Sequence, residues 1–173
     1  MSLLNVRLDP NSARSLILLT GSVEAQVNAA MRCAISRTAK WVNAQASQRL
    51  AKATKLSAKI LNSRNQIYLN SDEGRVWIGL NPIDAKKLSP VQSASGVKAG
   101  PANFPGAFIV KGSGKLAGQV MKRGDHGRLP IKKQVYAIFD AANPVINEIA
   151  REVGTRLLME FEHELKWTTR SQA

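Results

Sequence analysis

Cysteine, aromatic residues and long apolar runs are all scarce in this chain of 173 residues, and each shortage excludes a class of protein. The single cysteine, Cys33, excludes an internal disulfide and favours a reducing compartment. Three Trp, two Tyr and four Phe provide few rings for stacking on nucleic-acid bases. No apolar run approaches the ~20 residues of a membrane span, and Arg7 and Asp9 come too early for a signal peptide. We therefore expect a soluble protein that is not secreted by a standard signal and has no membrane partner.

Acidic residues are also few. The chain has 25 Lys and Arg against 12 Asp and Glu, which gives a formal net charge of +13 and a pI near 10.4. Between Glu24 and Asp72 there is no acidic residue at all, while basic residues accumulate. This imbalance indicates a polyanionic or acidic partner and says nothing about the fold.

The clearest pattern in the chain is an amphipathic helix predicted from Ser22 to about Lys52. Apolar residues recur at three- and four-residue steps, with Ser22 as the expected N-cap and Glu24 in the first turn. Near Arg49, which falls on the apolar side, the stripe drifts and the helix is expected to bend or end. The opposite arc is basic, through Arg32, Arg37 and Lys40. This face could meet an acidic surface of the same fold, a neighbouring subunit or nucleic acid, or it could be solvated without a partner.

After a short predicted helix, Leu56–Leu61, the apolar period changes from 3.6 to 2, which predicts strands. We expect one antiparallel sheet of about five strands: Gln66–Asn70, Arg75–Leu80, Ala107–Lys111, Gly118–Arg123 and Ile131–Phe139. Leu4–Leu8 could form a further short strand. The run Gly112-Ser113-Gly114-Lys115 invites comparison with a phosphate-binding loop. It lacks the first glycine, the Ser or Thr after the lysine and the helix that such a loop requires, so it predicts a hairpin turn.

The segment Asn81–Gly106 has no apolar period and is rich in Pro, Gly and Ser, and its lysines make it basic. This composition predicts a long mobile loop with fast amide exchange. Such a loop either becomes ordered against a partner or is a plain flexible excursion.

The last predicted element is a helix over residues 143–167, with Asn143 as N-cap and Pro144 in the first turn. It has one apolar stripe and is the acidic helix of the molecule, so it could offset the basic helix within the fold or between subunits. We expect the two helices to pack together over one face of the sheet, because each stripe needs cover. The predicted fold is α+β in one domain, 1–173. Its parts are an uncertain segment 1–21, a basic helical region 22–64, a β region 66–140 with the flexible loop 81–106, and the closing helix.

No group of residues has the spacing of a catalytic or metal site. Asp125-His126 has no nucleophile nearby in sequence, and His163, between Glu160 and Glu164, lacks a second histidine. We therefore expect no enzymatic activity, no metal and no cofactor. The candidate binding residues are charged instead. Basic residues expected to face DNA or a partner are Arg32, Arg37, Lys40, Lys122, Arg123, Arg128, Lys132 and Lys133. Acidic residues expected to contact a neighbouring subunit are Glu148 and Glu152.

Five features occur in a particular order along the chain. They are the run Ala34–Ala39 in the basic helix, the short helix Leu56–Leu61, a basic hairpin region, Gly127-Arg128-Leu129-Pro130-Ile131, and the closing helix after Asn143-Pro144. In this order the chain, from about Val23 to Trp167, resembles the minor tail protein Z family of lambda-like phages and prophages. The resemblance implies a structural virion protein that completes the head-proximal end of the tail and joins it to the filled head. Such proteins act in rings around the path of DNA. The family has no catalytic residues to carry over.

On this resemblance, the expected partners are phage tail proteins, either the tail terminator or the tail tube, and further copies of the chain in a ring. We expect DNA to be contacted through its phosphates, if at all. The ring would form head to tail, with the acidic helix of one subunit facing the basic helix of the next. The chain would be found in the virion tail, and in the host bacterial cytoplasm during assembly. The alternatives are a cytoplasmic, non-specific nucleic-acid-binding protein and, third, an enzyme.

Overall fold

A computed structural model describes residues 2–7, 24–124 and 130–170. The fold is α+β, as predicted. Two long helices pack against several small antiparallel sheets, where the sequence predicts one sheet. The helices are α1 Glu24–Thr54, α2 Ala58–Asn62, and α3 Phe139–Arg170. The strands are β1 Ser2–Arg7, β2 Asn65–Leu69, β3 Glu73–Ile78, β4 Ile83–Asp84, β5 Val91–Ser93, β6 Gly96–Ala99, β7 Ala102–Pro105, β8 Ala107–Ile109, β9 Val120–Arg123, β10 Ile131–Lys133 and β11 Val135–Tyr136.

Helices α1 and α3 pack together along their length, which confirms the predicted helix pair. They are antiparallel, because Arg37 contacts Glu164, whereas Arg49, later in α1, contacts Glu152, earlier in α3. The buried face of α1 is rich in alanine, and α3 supplies large side chains such as Phe161. Small residues on one helix let the large ones of the other approach closely, so the pair encloses much of the apolar core.

Helix α1 does not end at Arg49, one of the two outcomes expected there, and its last residue lies within two residues of the end predicted at about Lys52. It continues to Thr54, and Lys55 follows in the left-handed conformation (φ 56°) that commonly ends a helix. Ser57 then caps α2 by accepting a hydrogen bond from the Lys59 amide. The drift in the apolar stripe is explained instead by packing, because Arg49 faces α3.

Helix α3 begins at Phe139, five residues before Pro144, so the prediction of Asn143 as N-cap is wrong. The first helical bond runs from the Ala142 amide to the Ile138 carbonyl (2.9 Å). Ile138 and Ala142 are both buried and extend the apolar stripe backwards at four-residue steps. Burial of that extra turn outweighs the one hydrogen bond that Pro144 cannot donate.

The first sheet has the order β1-β3-β2, and all its pairs are antiparallel. The β2–β3 hairpin lies where the sequence predicts it, to within two residues. Val76 and Ile78 point from β3 toward α1 and are buried. Gly74 lets α1 approach the sheet, since a Cβ there would lie 2.8 Å from Cγ2 of Ile35. Both long helices contact this sheet.

A single sheet of about five strands is not confirmed. Strands β8 and β9 form the predicted hairpin, and β10 joins them in a second sheet of order β10-β9-β8. The predicted strand Ile131–Phe139 is divided: β10 pairs with β9, whereas β11 turns away to pair with β4. Short strands interrupted by turns can change partner in this way, and period alone does not reveal it.

Residues 81–106 do not form the predicted loop without secondary structure. They contain β4, a 3-10 helix (Ala85–Leu88) and a three-stranded meander of order β5-β6-β7. Val97 and Leu88 are buried in the common core. The glycines that suggested disorder serve as turn residues and as sites of close approach. Gly96 has φ 151°, and a Cβ there would lie 2.3 Å from the Phe104 carbonyl oxygen.

Some predictions fall outside the described residues. These are the N-cap Ser22, the pair Asp125-His126, and the first three residues of Gly127-Arg128-Leu129-Pro130-Ile131, including the candidate binding residue Arg128.

Candidate polyanion-facing surface

The acidic helix pairs with two bases of the basic helix, Arg37 and Arg49, within one chain. Arg49 donates two hydrogen bonds to Glu152, one to each carboxylate oxygen, at 2.6 and 2.7 Å. Arg49 holds the pKa of Glu152 below its usual value mainly through the hydrogen bond, and Glu152 in turn raises the pKa of Arg49. Such two-fold pairing is among the stronger ionic contacts in proteins. The role of Glu152 as a contact to a neighbouring subunit stays a prediction, and within the chain its charge is matched by Arg49.

Arg37 is also engaged within the chain. It forms ion pairs with Glu164, a buried residue, and with Glu160 at 3.7 Å. Glu160 pairs in addition with Arg156, whose guanidinium lies 5.8 Å from the centre of the Trp41 ring. The sequence predicts that Arg37 faces DNA or a partner, but its first role is to join α1 to the end of α3.

The remaining predicted basic residues of α1 are exposed. Arg32 donates only to the Asn28 carbonyl of its own helix (3.3 Å), and Lys40 lies further along the same helix. Within the described ranges neither residue forms an ion pair with an acidic group. Glu148 on α3 is likewise exposed. These three residues stay available for a partner.

The second basic region lies on strands β9 and β10. Lys122 and Lys132 are directly opposite each other in the antiparallel register, so two like charges face one another. Cross-strand like charges destabilise a sheet unless an anion lies between them. Neither lysine has an acidic partner in the part of the chain that the structure describes.

The neighbours of this lysine pair are less available. Lys133 forms an ion pair with Asp84 at 2.8 Å, and Arg123 lies over the Phe108 ring at 5.7 Å from its centre. The structure thus separates the predicted basic residues into two groups. Arg32, Lys40, Lys122 and Lys132 have no ion pair among the described residues, whereas Arg37 and Lys133 are neutralised.

The turn between β8 and β9 adds basic residues that were not among the predicted site residues. Lys111 and Lys115 are exposed on either side of the glycine-rich tip. The hairpin prediction for this tip is confirmed, because the Gly118 amide bonds to the Val110 carbonyl (2.9 Å) and a strand follows. Composition alone could have suggested these two lysines, since both flank glycines in a predicted turn.

A shallow recess of about 420 Å³ lies on the outer face of the first sheet. Its walls are Gln66, Tyr68, Asn70, Arg75 and Trp77. Arg75 pairs with Glu73 at 2.8 Å, and that contact raises the pKa of Arg75. This face is therefore aromatic and close to neutral, unlike the β9–β10 region. Sequence reasoning missed it because Tyr68 and Trp77 meet only through the strand register.

In the described ranges, no three His, Cys, Asp or Glu side chains are grouped closely enough to hold a metal ion. None of the helices in those ranges has the length and apolar character required to cross a bilayer. Comparison of the chain with protein-family models, curated proteins and solved structures gave no match in any of the three.

Proposed function

We propose that this chain is a structural subunit of the tail-completion type, acting at the head-proximal end of a phage or prophage tail. The observation that carries the proposal is the uneven use of charge. Five carboxylates in the described residues are paired with bases of the same chain: Glu73, Asp84, Glu152, Glu160 and Glu164. Because the chain has far more bases than acids, this pairing leaves an uncompensated positive surface.

A positive surface of this kind suits a subunit that lines or approaches the path of DNA. Lysine and arginine contact phosphates without reading sequence, which is what a ring through which any genome passes requires. Among the described residues, the contacts would come from Arg32 and Lys40 on α1 and from Lys122 and Lys132 on the β9–β10 ribbon. The resemblance to the minor tail protein Z family supports the same role. A ring of copies around DNA and binding to a tail terminator or tail tube protein belong to this proposal.

The charge pairing within the chain bears on which acidic residues a contact between copies would use. Glu152 already accepts two hydrogen bonds from Arg49 of its own chain, so it has less charge to offer a second copy than an unpaired carboxylate. Glu148 is exposed and is the remaining acidic candidate of the two predicted. Charged residues at the exposed edge of a contact between copies mainly raise the association rate, and salt weakens their effect.

The test is assembly in an extract that makes tails from the same phage or prophage. Tails made without this chain should fail to join filled heads, and the purified chain should restore joining. Immunolabelling should place the chain at the head-proximal end of the tail. Joining at the normal rate in its absence would refute the proposal.

The same positive surface also supports a second function, a cytoplasmic protein that binds nucleic acid without sequence preference. The extract experiment distinguishes this function from the tail-completion function. A chain that binds duplex DNA strongly but is absent from purified particles is the second kind of protein.

A further inference from the structure

Strand β2, Asn65–Leu69, lies at one edge of the first sheet. One side of the strand bonds to β3, and helix α1 packs on the inner face. The start of the strand is held to α1, because the Asn65 side-chain amide donates to the Asn43 side-chain oxygen at 2.9 Å. The strand is therefore well fixed, with one edge remaining.

The hairpin shows which backbone groups point away from β3. Its turn is closed by the Asn70 amide, which donates to the Glu73 carbonyl at 2.8 Å. Hydrogen-bonded and non-bonded pairs alternate along an antiparallel ladder. Asn70 belongs to a hydrogen-bonded pair, so every second residue before it, Tyr68 and then Gln66, also bonds to β3. The amides and carbonyls of Ile67 and Leu69 then point outward, and in the described part of the chain no hydrogen bond from outside the sheet reaches them.

Strand β2 lacks the features that usually protect such an edge. Its five residues, Asn-Gln-Ile-Tyr-Leu, include no charged residue and no proline, although 21% of the chain is charged. Tyr68 and Leu69 are 54% and 43% exposed. Exposed edges without lysine, proline or a bulge readily pair with another strand.

Charge selects the occupant of this edge. Two copies that each carry a net charge of +13 repel one another over most of their surfaces. Around β2 the repulsion is reduced, because the strand is uncharged and the neighbouring Arg75 is paired with Glu73. A polyanion, by contrast, gains nothing here and is better matched to Lys122 and Lys132.

We propose that β2 pairs antiparallel with β2 of a second copy of this chain, across a two-fold axis, to make one six-stranded sheet. The outward amides and carbonyls of Ile67 and Leu69 would form the new ladder. The exposed rings of Tyr68 would be covered at the same contact. The two-fold contact uses the same patch on both copies, so it makes dimers and does not by itself close a ring. It does not depend on the proposed function.

The experiment is sedimentation equilibrium of the full chain, with two substitutions at Leu69. Leu69→Pro removes an outward amide from each copy and leaves the bonds to β3, which involve Tyr68 and Gln66. Leu69→Ala is the matched control, because it shortens the same side chain and keeps the amide. We expect the wild-type chain and Leu69→Ala to form dimers. Leu69→Pro should weaken the dimer by about tenfold or more, since the two-fold axis doubles the lost hydrogen bond.

Circular dichroism establishes that each variant is folded. If Leu69→Pro does not fold, Tyr68→Lys decides the question, because it adds a like charge to both paired strands. Its dimer should be weaker than wild type and should recover as salt rises. A wild-type chain that stays monomeric up to its solubility limit would overturn the proposal. So would a dimer that is as stable in Tyr68→Lys and in folded Leu69→Pro as in wild type.

Discussion

Arg49 illustrates how a single residue can contradict a sequence pattern and still be explained by physical chemistry. It lies on the apolar side of α1, where an arginine has no evident role when the sequence is considered alone. In the folded chain that side faces α3, and Glu152 accepts two of the three hydrogen bonds that the Arg49 side chain donates. A charged residue at a helix–helix interface is acceptable when its partner is present and both carboxylate oxygens are used.

This pair predicts a pH-dependent difference between wild type and Glu152→Gln. The pKa of Glu152 is lowered in the folded state, so its stabilising effect is fully present above the unfolded pKa, about 4.3. The effect is lost as pH falls below that value and through the folded pKa. Urea denaturation should therefore give a lower midpoint for the variant at neutral pH and equal midpoints in strong acid. Glu148→Gln, on the same exposed side of α3, is the control and should show a smaller difference.

Two glycines of opposite character give a second prediction. Gly74→Ala should destabilise the fold by about 1–3 kcal/mol, because the new Cβ would press on the buried Ile35 side chain at 2.8 Å. Gly154 lies in the exposed middle of α3, and no atom lies within 4 Å of the position that a Cβ would take there. Gly154→Ala should stabilise by about 0.5–1 kcal/mol through helix propensity. Urea denaturation measures the free energy of unfolding of both variants, which should fall for Gly74→Ala and rise for Gly154→Ala. Equal changes in the two variants would contradict the packing argument.

At the scale of elements, the meander β5–β6–β7 is the part of the fold that composition misrepresented. One side chain adds hydrogen bonds between the meander and β8, which follows β7 directly in the chain. Gln92 donates to the Gly96 carbonyl at 3.0 Å and accepts from the Ile109 amide at 2.9 Å. Gln92 therefore joins two sheets that share no strand.

We expect amides of β6 to be protected from exchange in the isolated chain, because Val97 and Ala99 are fully buried. Gln92→Ala should raise exchange in residues 91–109 and leave α3 unchanged, since it removes the bonds between the meander and β8. Hydrogen-exchange mass spectrometry provides the measurement. Ser93→Ala, on the same strand, is the control, and exchange in wild type as fast as that of an unfolded chain would refute the ordered meander.

At the scale of the whole molecule, the surplus of bases is distributed unevenly. Lys133 is matched by Asp84, while its neighbour Lys132 has no acidic partner among the described residues and faces Lys122. This contrast on one strand allows the DNA-binding hypothesis to be tested without changing the fold.

Lys122→Gln combined with Lys132→Gln should weaken duplex DNA binding equally for unrelated sequences. The slope of log affinity against log salt should fall by about one for each lost phosphate contact. Fluorescence anisotropy at several salt concentrations measures both quantities. Lys133→Gln should change the slope less, because that ammonium is already paired. An unchanged slope in the double variant would assign the lysine pair to a protein contact or to solvent.

Much of the fold follows from local patterns. The helix near residue 24, the hairpins β2–β3 and β8–β9, and the packing of α1 on α3 were all predictable, because apolar period and turn chemistry act over a few residues. The extra turn of α3 was also present in the sequence, as the continuation of its stripe to Ile138. Pro144 is typical of the first turn of a helix, so it led to a predicted start that was too late.

The sequence by itself determined the net charge, the amphipathic helices and most hairpins, since each depends on composition or on near neighbours in the chain. Only the tertiary structure decided which charges remain. Arg49 and Glu152 are 103 residues apart, and Lys122 faces Lys132 through strand register, so no local pattern reveals either contact. The division of residues 66–140 into several sheets was decided in the same way. Strand pairing is set by long-range packing of side chains against a common core, and the strand period is the same whichever neighbour is chosen.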